Sequence, residues 1–265
     1  MTDPAFPAFE YIPGRLDAGV LFVCDHARNA LPPQYGDLGL PPEAFGRHIA
    51  YDIGAADVTR HWARTFQAPA VLSTFSRLLI DPNRGADDPT LVMKISDGAI
   101  IPGNAGADEA EIARRVTLYW KPYRDKIAET LDAILATGTV PAIISMHSFT
   151  PFWKSTPRPW HVGVLWDNDP RIPVPFIEAL RAGADIATGD NEPYDGALEG
   201  DVIDIMATRR GLANILIEIR QDLLATQAGA AKWAERLQPA LRQVLSLPEA
   251  HEMKQFGSRT RPGQR

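Results

Sequence analysis

Short apolar runs punctuate this chain, and three of them lead into a polar side chain that can bind a metal or move a proton. Val20–Cys24 is followed by Asp25-His26, Val140–Met146 by His147-Ser148, and Ile215–Ile217 by Glu218. Runs this short and this rich in β-branched residues read as buried strands of a parallel sheet. Between them lie segments with helical spacing. His48–Phe66 repeats apolar residues at Ile49, Ile53, Ala56, Val58, Trp62 and Phe66, which predicts a helix. Asp108, Glu109 and Glu111 open a second helix that runs to Leu135 and stops at Gly138, its acidic start suiting the helix dipole. Pro175–Ala182 and Ala230–Leu245 predict two more. Pro69–Ser73, Leu78–Ile80 and Val162–Trp166 complete the strands. Alternating strands and helices indicate an α/β sandwich.

The remaining segments read as connections. Residues 1–18 form a polar, proline-containing lead-in, and 29–47 a proline- and glycine-rich loop over the sheet edge. Residues 85–107 form an aperiodic loop long enough to suggest a functional role. The stretch 151–160 reads as a loop, 185–205 as a mostly polar stretch, and the tail from Pro248 as a fraying end. One domain spanning residues 1–265 is expected from the length.

Composition narrows the function classes. Lys and Arg number 27 against 33 Asp and Glu, a net charge of −6, which offers no electrostatic reason to bind nucleic acid or an anionic membrane. No apolar stretch approaches the ~18 residues of a membrane span. A single cysteine rules out an intrachain disulfide and suits a reducing compartment. With no basic-then-apolar signal pattern at the start, a cytoplasmic location is expected. Oligomeric state is not legible.

Strand ends are where ligands bind on parallel sheets. Two imidazoles and a carboxylate there are the parts of a hydrolytic zinc site with one position open to water. His26 and His147 supply the imidazoles. Asp52, a carboxylate among apolar positions, is the candidate third ligand, with Asn29 as the alternative. Glu218 alternates with Ile217 and Ile219 and so faces away from them. It can be a general base or the partner of Arg220. Arg77 and the pair Asn83-Arg84 flank Leu78–Ile80 and suit capture of a carboxylate. Cys24 shares a face with His26, which allows a thiol nucleophile as well as plain core packing.

These residues sit in a series of motifs: Cys24-Asp25-His26-Ala27; His48-Ile49-Ala50-Tyr51-Asp52-Ile53-Gly54; Ser76–Arg84; Ser96-Asp97-Gly98; His147-Ser148-Phe149-Thr150-Pro151; Gly189-Asp190-Asn191-Glu192-Pro193-Tyr194; Arg210-Gly211-Leu212; and Ile217–Asp222. In that order, from about Leu21 to Leu237, the chain resembles the N-formylglutamate amidohydrolase family, itself similar to zinc carboxypeptidases and aspartoacylase. The resemblance implies a three-layer α/β/α sandwich with a mixed, mainly parallel sheet of the phosphorylase/hydrolase-like kind. It implies one zinc held by His26, Asp52 and His147, with Glu218 as general base and Arg77 polarising the scissile carbonyl. It further implies a small anionic substrate, an N-acyl and most simply N-formyl acidic amino acid such as N-formyl-L-glutamate, contacted by Asn83, Arg84, Asn191, Tyr194 and Arg209. Alternatives are other amide or peptide substrates under the same zinc chemistry, or a non-catalytic binding protein. Two positions depart from the family pattern, Arg124 and Met206 standing where many relatives carry histidine.

Overall fold

The apolar runs become the centre of one sheet. In the computed structural model, which describes residues 6–261, the elements follow as β1 (Phe9–Ile12), β2 (Val20–Cys24), α1 (Ala55–Phe66), β3 (Ala70–Ser73), β4 (Ile95–Ser96), β5 (Ala99–Ile100), α2 (Pro102–Ala105), α3 (Glu109–Arg115) and α4 (Lys121–Leu135). Then come β6 (Ala142–Phe149), β7 (Phe152–Trp153), β8 (Thr156–Pro157), β9 (Val162–Leu165), α5 (Pro173–Ala182), β10 (Thr188–Asp190), α6 (Val202–Met206), β11 (Asn214–Arg220) and α7 (Gln227–Leu245). Seven strands form the main sheet in the order β1-β3-β2-β6-β11-β9-β10. The central β3-β2-β6-β11 pairs are parallel, while β1 on β3 and β9 on β11 are antiparallel. The sheet is therefore mixed.

Side-chain alternation divides the core into two layers. Phe22, Ile144, Met146, Ile215, Ile217 and Ile219 pack on one face with Trp62 of α1, Phe176 of α5 and Trp233 of α7. Leu21, Val23 and Ile143 pack on the other with Tyr123, Ile127 and Leu131 of α4. Helices on both faces of a mixed sheet give the three-layer α/β arrangement. Among the described residues no helix is long and apolar enough to cross a membrane.

Four local readings differ from expectation. The helix expected from His48 begins at Ala55, because Gly54 takes φ +78 and caps it. A side chain at Gly54 would lie 2.4 Å from Leu224 Cβ, so only glycine fits the turn. Leu78–Ile80 is buried but is not a strand. Its carbonyls are met by side chains instead of a neighbouring strand: Asn104 Nδ2 donates to Leu78 O and Arg115 Nη1 to Leu79 O, each at 2.8 Å. The helix expected over 108–135 contains one wide π-turn at Val116–Trp120. Finally, the lead-in carries β1, and the stretches 85–107, 151–160 and 185–205 carry β4, β5, α2, β7, β8, β10 and α6.

The segment read as a fraying tail makes contacts up to Arg261. Arg259 Nη2 donates to Asp195 Oδ1 and Trp166 O, both at 2.7 Å. Arg261 Nη1 donates to Asp204 Oδ2 at 2.9 Å.

Candidate active site

The register of the sheet assembles the site. Glu218 on β11 lies directly beside His147 on β6, so both point to the same face. Asp25 and His26 follow the end of β2, and the turn ahead of α1 carries Asp52, whose backbone N–H donates to His26 O at 2.9 Å. The three candidate ligands thereby converge. One donor atom from each of His26, Asp52 and His147 lies within 4.8 Å of the others, and all three residues are buried.

Each histidine has one nitrogen committed behind it. His26 Nε2 is 2.7 Å from Asp81 Oδ1, and His147 Nε2 is 3.0 Å from Asp25 Oδ2. Their Nδ1 atoms both face Asp52 Oδ2, at 3.3 and 2.8 Å. A carboxylate behind a metal-binding imidazole fixes its orientation and raises its basicity. Asp25 is itself held by Tyr123, whose hydroxyl donates to Oδ1 at 2.8 Å, and by Ser145 Oγ at 3.2 Å. Asp81 also accepts from Arg77 Nη2 at 2.7 Å. Two nitrogens and one carboxylate oxygen, gathered and buried, are a donor set that zinc accepts.

Electrostatics follow from this packing. Burial works against ionisation of Asp25, Asp52 and Asp81, yet the neighbouring His26, His147 and Arg77 hold all three below the usual carboxylate range. Burial also works against charging His147, but Asp25 and Asp52 on its two nitrogens raise it well above an ordinary histidine. Glu218 is the exception: burial pushes it up to about 7. Its Oε2 is buried and has no hydrogen-bond partner among the described residues. An unpaired buried carboxylate oxygen calls for a ligand or a proton. Gly163, its neighbour on β9, leaves it room: a side chain there would stand 2.3 Å from Glu192 O and 3.3 Å from Glu218 Cβ.

A cavity of about 400 Å3 opens above the cluster. Arg77, Asn83, Arg84, Tyr194 and Glu218 line it together with His26, Asp52 and His147. Two other sequence candidates do not. Asn191 uses its Oδ1 to accept from Trp166 N and Gly196 N at 2.9 and 3.0 Å, which shapes the loop carrying Tyr194. Arg209 pairs with Asp204 at 2.8 Å, outside the cavity.

Several alternatives are resolved by contacts. Asn29 donates to Phe45 O at 2.7 Å and stays out of the ligand cluster. Arg220 pairs with Asp222 at 2.8 Å instead of with Glu218. Cys24 packs in the core, and burial raises its thiol well above the ordinary value, so no thiolate forms there. Neither Arg124 nor Met206 lines the cavity. Met206 is core, while Arg124 donates to Pro82 O (3.1 Å) and Gly200 O (2.7 Å) over the ring of Trp120.

Sequence reasoning assigned no role to Asp25, Asp81, Tyr123 or Asp201. Asp25 stood beside His26 and Asp81 inside the Arg77–Arg84 motif, so their positions were visible although their partners were not. Tyr123 has no local signal. Asp201 lines the cavity, caps α6 through Asp204 N at 2.6 Å, and burial pushes it up to about 7.

Known proteins resemble this chain in sequence and in fold. A sequence model of the family described as N-formylglutamate amidohydrolase matches residues 18–225, a span that includes every candidate ligand and Glu218. A gene product of Agrobacterium tumefaciens has a solved structure that is 34% identical, with a TM-score of 0.84 over 90% of this chain and 95% of that one. The N-formylglutamate amidohydrolase of Ralstonia eutropha JMP134 is 21% identical, with a TM-score of 0.65 over 89% of this chain and 97% of that one, a likeness of fold. Nothing among curated protein sequences matches significantly. With the family's sequence model spanning most of its length, this chain belongs to the N-formylglutamate amidohydrolase family.

Proposed function

We propose that this protein is a zinc-dependent hydrolase of the amide bond of an N-acyl, most simply N-formyl, amino acid, releasing formate and the free amino acid. N-formyl-L-glutamate, an acidic amino-acid derivative named in the family's description, is its reference substrate. The observation that carries this reading is the buried convergence of His26, Asp52 and His147 beside Glu218 Oε2, which no group among the described residues satisfies.

His26 Nδ1, His147 Nδ1 and an Asp52 oxygen would hold the metal. Zinc, when bound, supplies Lewis acidity and lowers the pKa of water to about 7. The chain's own groups do the rest. Glu218, raised to about 7 by burial, is poised both to take a proton from the attacking water and to return it to the departing nitrogen. The Arg77 guanidinium, held by Asp81, donates to the oxygen that gains charge at the scissile carbon. Asn83 and Arg84 at the cavity wall hold a substrate carboxylate. Val202 N holds Asn83 Oδ1 at 3.1 Å, so the NH2 end of that amide is the one available to a ligand.

The test is formate release from N-formyl-L-glutamate by chelated protein and by the same protein reloaded with zinc. Release that requires zinc is expected, and Glu218→Gln should lower turnover roughly 10²–10⁴-fold while keeping the zinc content. Absence of release from any N-formyl amino acid in folded, zinc-loaded protein would overturn the reading, and near wild-type turnover of Glu218→Gln would remove its role.

A further inference from the structure

The walls of the cavity restrict the substrate further than the family does. N-formylglutamate brings both an α-carboxylate and a side-chain carboxylate. An ionised carboxylate leaves water at low cost only when a cation or several donors meet it. Among the described residues, the guanidinium groups lining the cavity are those of Arg77 and Arg84.

Arg77 is already engaged. Its Nη2 donates to Asp81 Oδ2 at 2.7 Å and its Nη1 lies 3.8 Å from Asp52 Oδ1. Arg84 differs: its nearest carboxylate, Asp88, is 4.0 Å away. Arg84 with the Asn83 amide therefore suits one carboxylate. His48 does not supply the missing charge, since it faces Asp97 at 3.6 Å and burial lowers its pKa, which leaves it neutral at neutral pH. Arg209, the residue expected to help hold the substrate, is bound to Asp204 outside the cavity.

What remains of the wall is apolar, hydroxyl-bearing (Ser96, Ser148, Thr150 and Tyr194) or acidic. Ile49, Leu165, Leu198, Leu216 and Trp153 supply hydrocarbon surface. Asp97, Asp195 and Asp201 stand at the same cavity, the first paired with Arg47 at 2.8 Å and the second with Arg259 at 2.7 Å. A second carboxylate placed here would meet hydrocarbon, neutral hydroxyls and acidic groups, with no second uncommitted guanidinium among the described lining residues. At about 400 Å3 the cavity has the size of pockets that enclose drug-like molecules, so an apolar group can be housed beside the carboxylate.

We infer that the substrate carries one carboxylate, held by Asn83 and Arg84, and beyond it an uncharged group, so that neutral N-formyl amino acids are preferred to N-formylglutamate. The inference rests on the hydrolase reading and assigns the class of side chain that the site accepts.

The experiment compares N-formyl-L-glutamate, its neutral isostere N-formyl-L-glutamine, and N-formyl-L-methionine as substrates of the zinc-loaded protein. The expected result is a kcat/KM for both neutral compounds roughly tenfold or more above that of the glutamate derivative, with the difference carried by KM. Leu198→Lys, which places a cation in the apolar wall, should narrow that gap by improving N-formyl-L-glutamate. Equal or faster turnover of N-formyl-L-glutamate by the wild type overturns the inference. If none of the three is cleaved, the hydrolase reading fails, and calorimetric binding of the free amino acids decides the inference separately. Methionine bound more tightly than glutamate sustains it, and the reverse order, or no binding of either, overturns it.

Discussion

His147 shows how much of this site is decided by single side chains. Its two ring nitrogens lie 2.8 and 3.0 Å from the carboxylates of Asp52 and Asp25, so without a metal it is held as an imidazolium. A metal at Nδ1 must displace that proton, which makes zinc binding release a proton and strengthen with pH. The sign for the metal-free fold is the reverse. With a pKa raised above 6.5, His147 contributes its full stability below that value and loses it as pH rises through the raised one. Zinc should therefore raise the Tm more at pH 8 than at pH 6, and titrations in buffers of different ionisation enthalpy should report proton release. An equal Tm gain at both pH values would contradict this account. His26, His147 and Glu218 were legible because each interrupts or ends an apolar strand, where an ionisable group is costly without a purpose. Asp52 was legible as a carboxylate among the apolar positions of its segment. Asp81 and Tyr123 were not, because their partners are 55 and 98 residues away in the chain.

At the scale of elements, the proposed substrate clamp depends on a helix that does not touch the cavity. The turn carrying Asn83 and Arg84 is braced from behind by the α3–π–α4 segment. Arg124 donates to Pro82 O and Gly200 O, Trp120 Nε1 to Arg84 O at 3.0 Å, and Arg115 to Leu79 O. Replacing Arg124 by Ala strands two carbonyls and removes a guanidinium stacked 4.2 Å above the Trp120 ring centre. The expected cost is about 1–3 kcal/mol in urea unfolding, accompanied by a raised KM as the turn loosens, with zinc affinity unchanged. A variant whose stability and KM both match the wild type would show that the brace is idle. This layer was partly readable. Periodicity marked α4, α7 and the central strands, because burial on a sheet or helix face imposes a local spacing. It misread Leu78–Ile80 as a strand, since an apolar run records burial and says nothing of what meets its backbone. It also extended α1 back to His48, missing the left-handed Gly54 that frees Asp52 from the helix.

At the scale of the molecule, loops far apart in sequence close around the strand ends, and the C-terminal segment secures one of them. Arg259 holds Asp195, which lines the cavity, and Arg261 holds Asp204 within α6. The Arg259–Asp195 pair is exposed, and exposed ion pairs contribute only about 0–1 kcal/mol. Arg259→Ala should accordingly leave the Tm nearly unchanged while raising KM, an effect that grows at low salt in the wild-type comparison because screening weakens the pair. An unchanged KM would mean that the loop keeps its place unaided. The sequence by itself determined the alternation of strands and helices, the histidines and carboxylates at strand ends and the acidic balance of charge, all of which follow from local spacing and composition. Only the tertiary structure decided that Asp25 and Asp81 stand behind the histidines, that Asn191 and Arg209 stay out of the cavity wall, and that Arg77 is committed to Asp81 while Arg84 is not bound to a carboxylate at hydrogen-bond distance. Those outcomes depend on which of many possible partners each charged group meets, and that choice is made by packing between segments that no local pattern records.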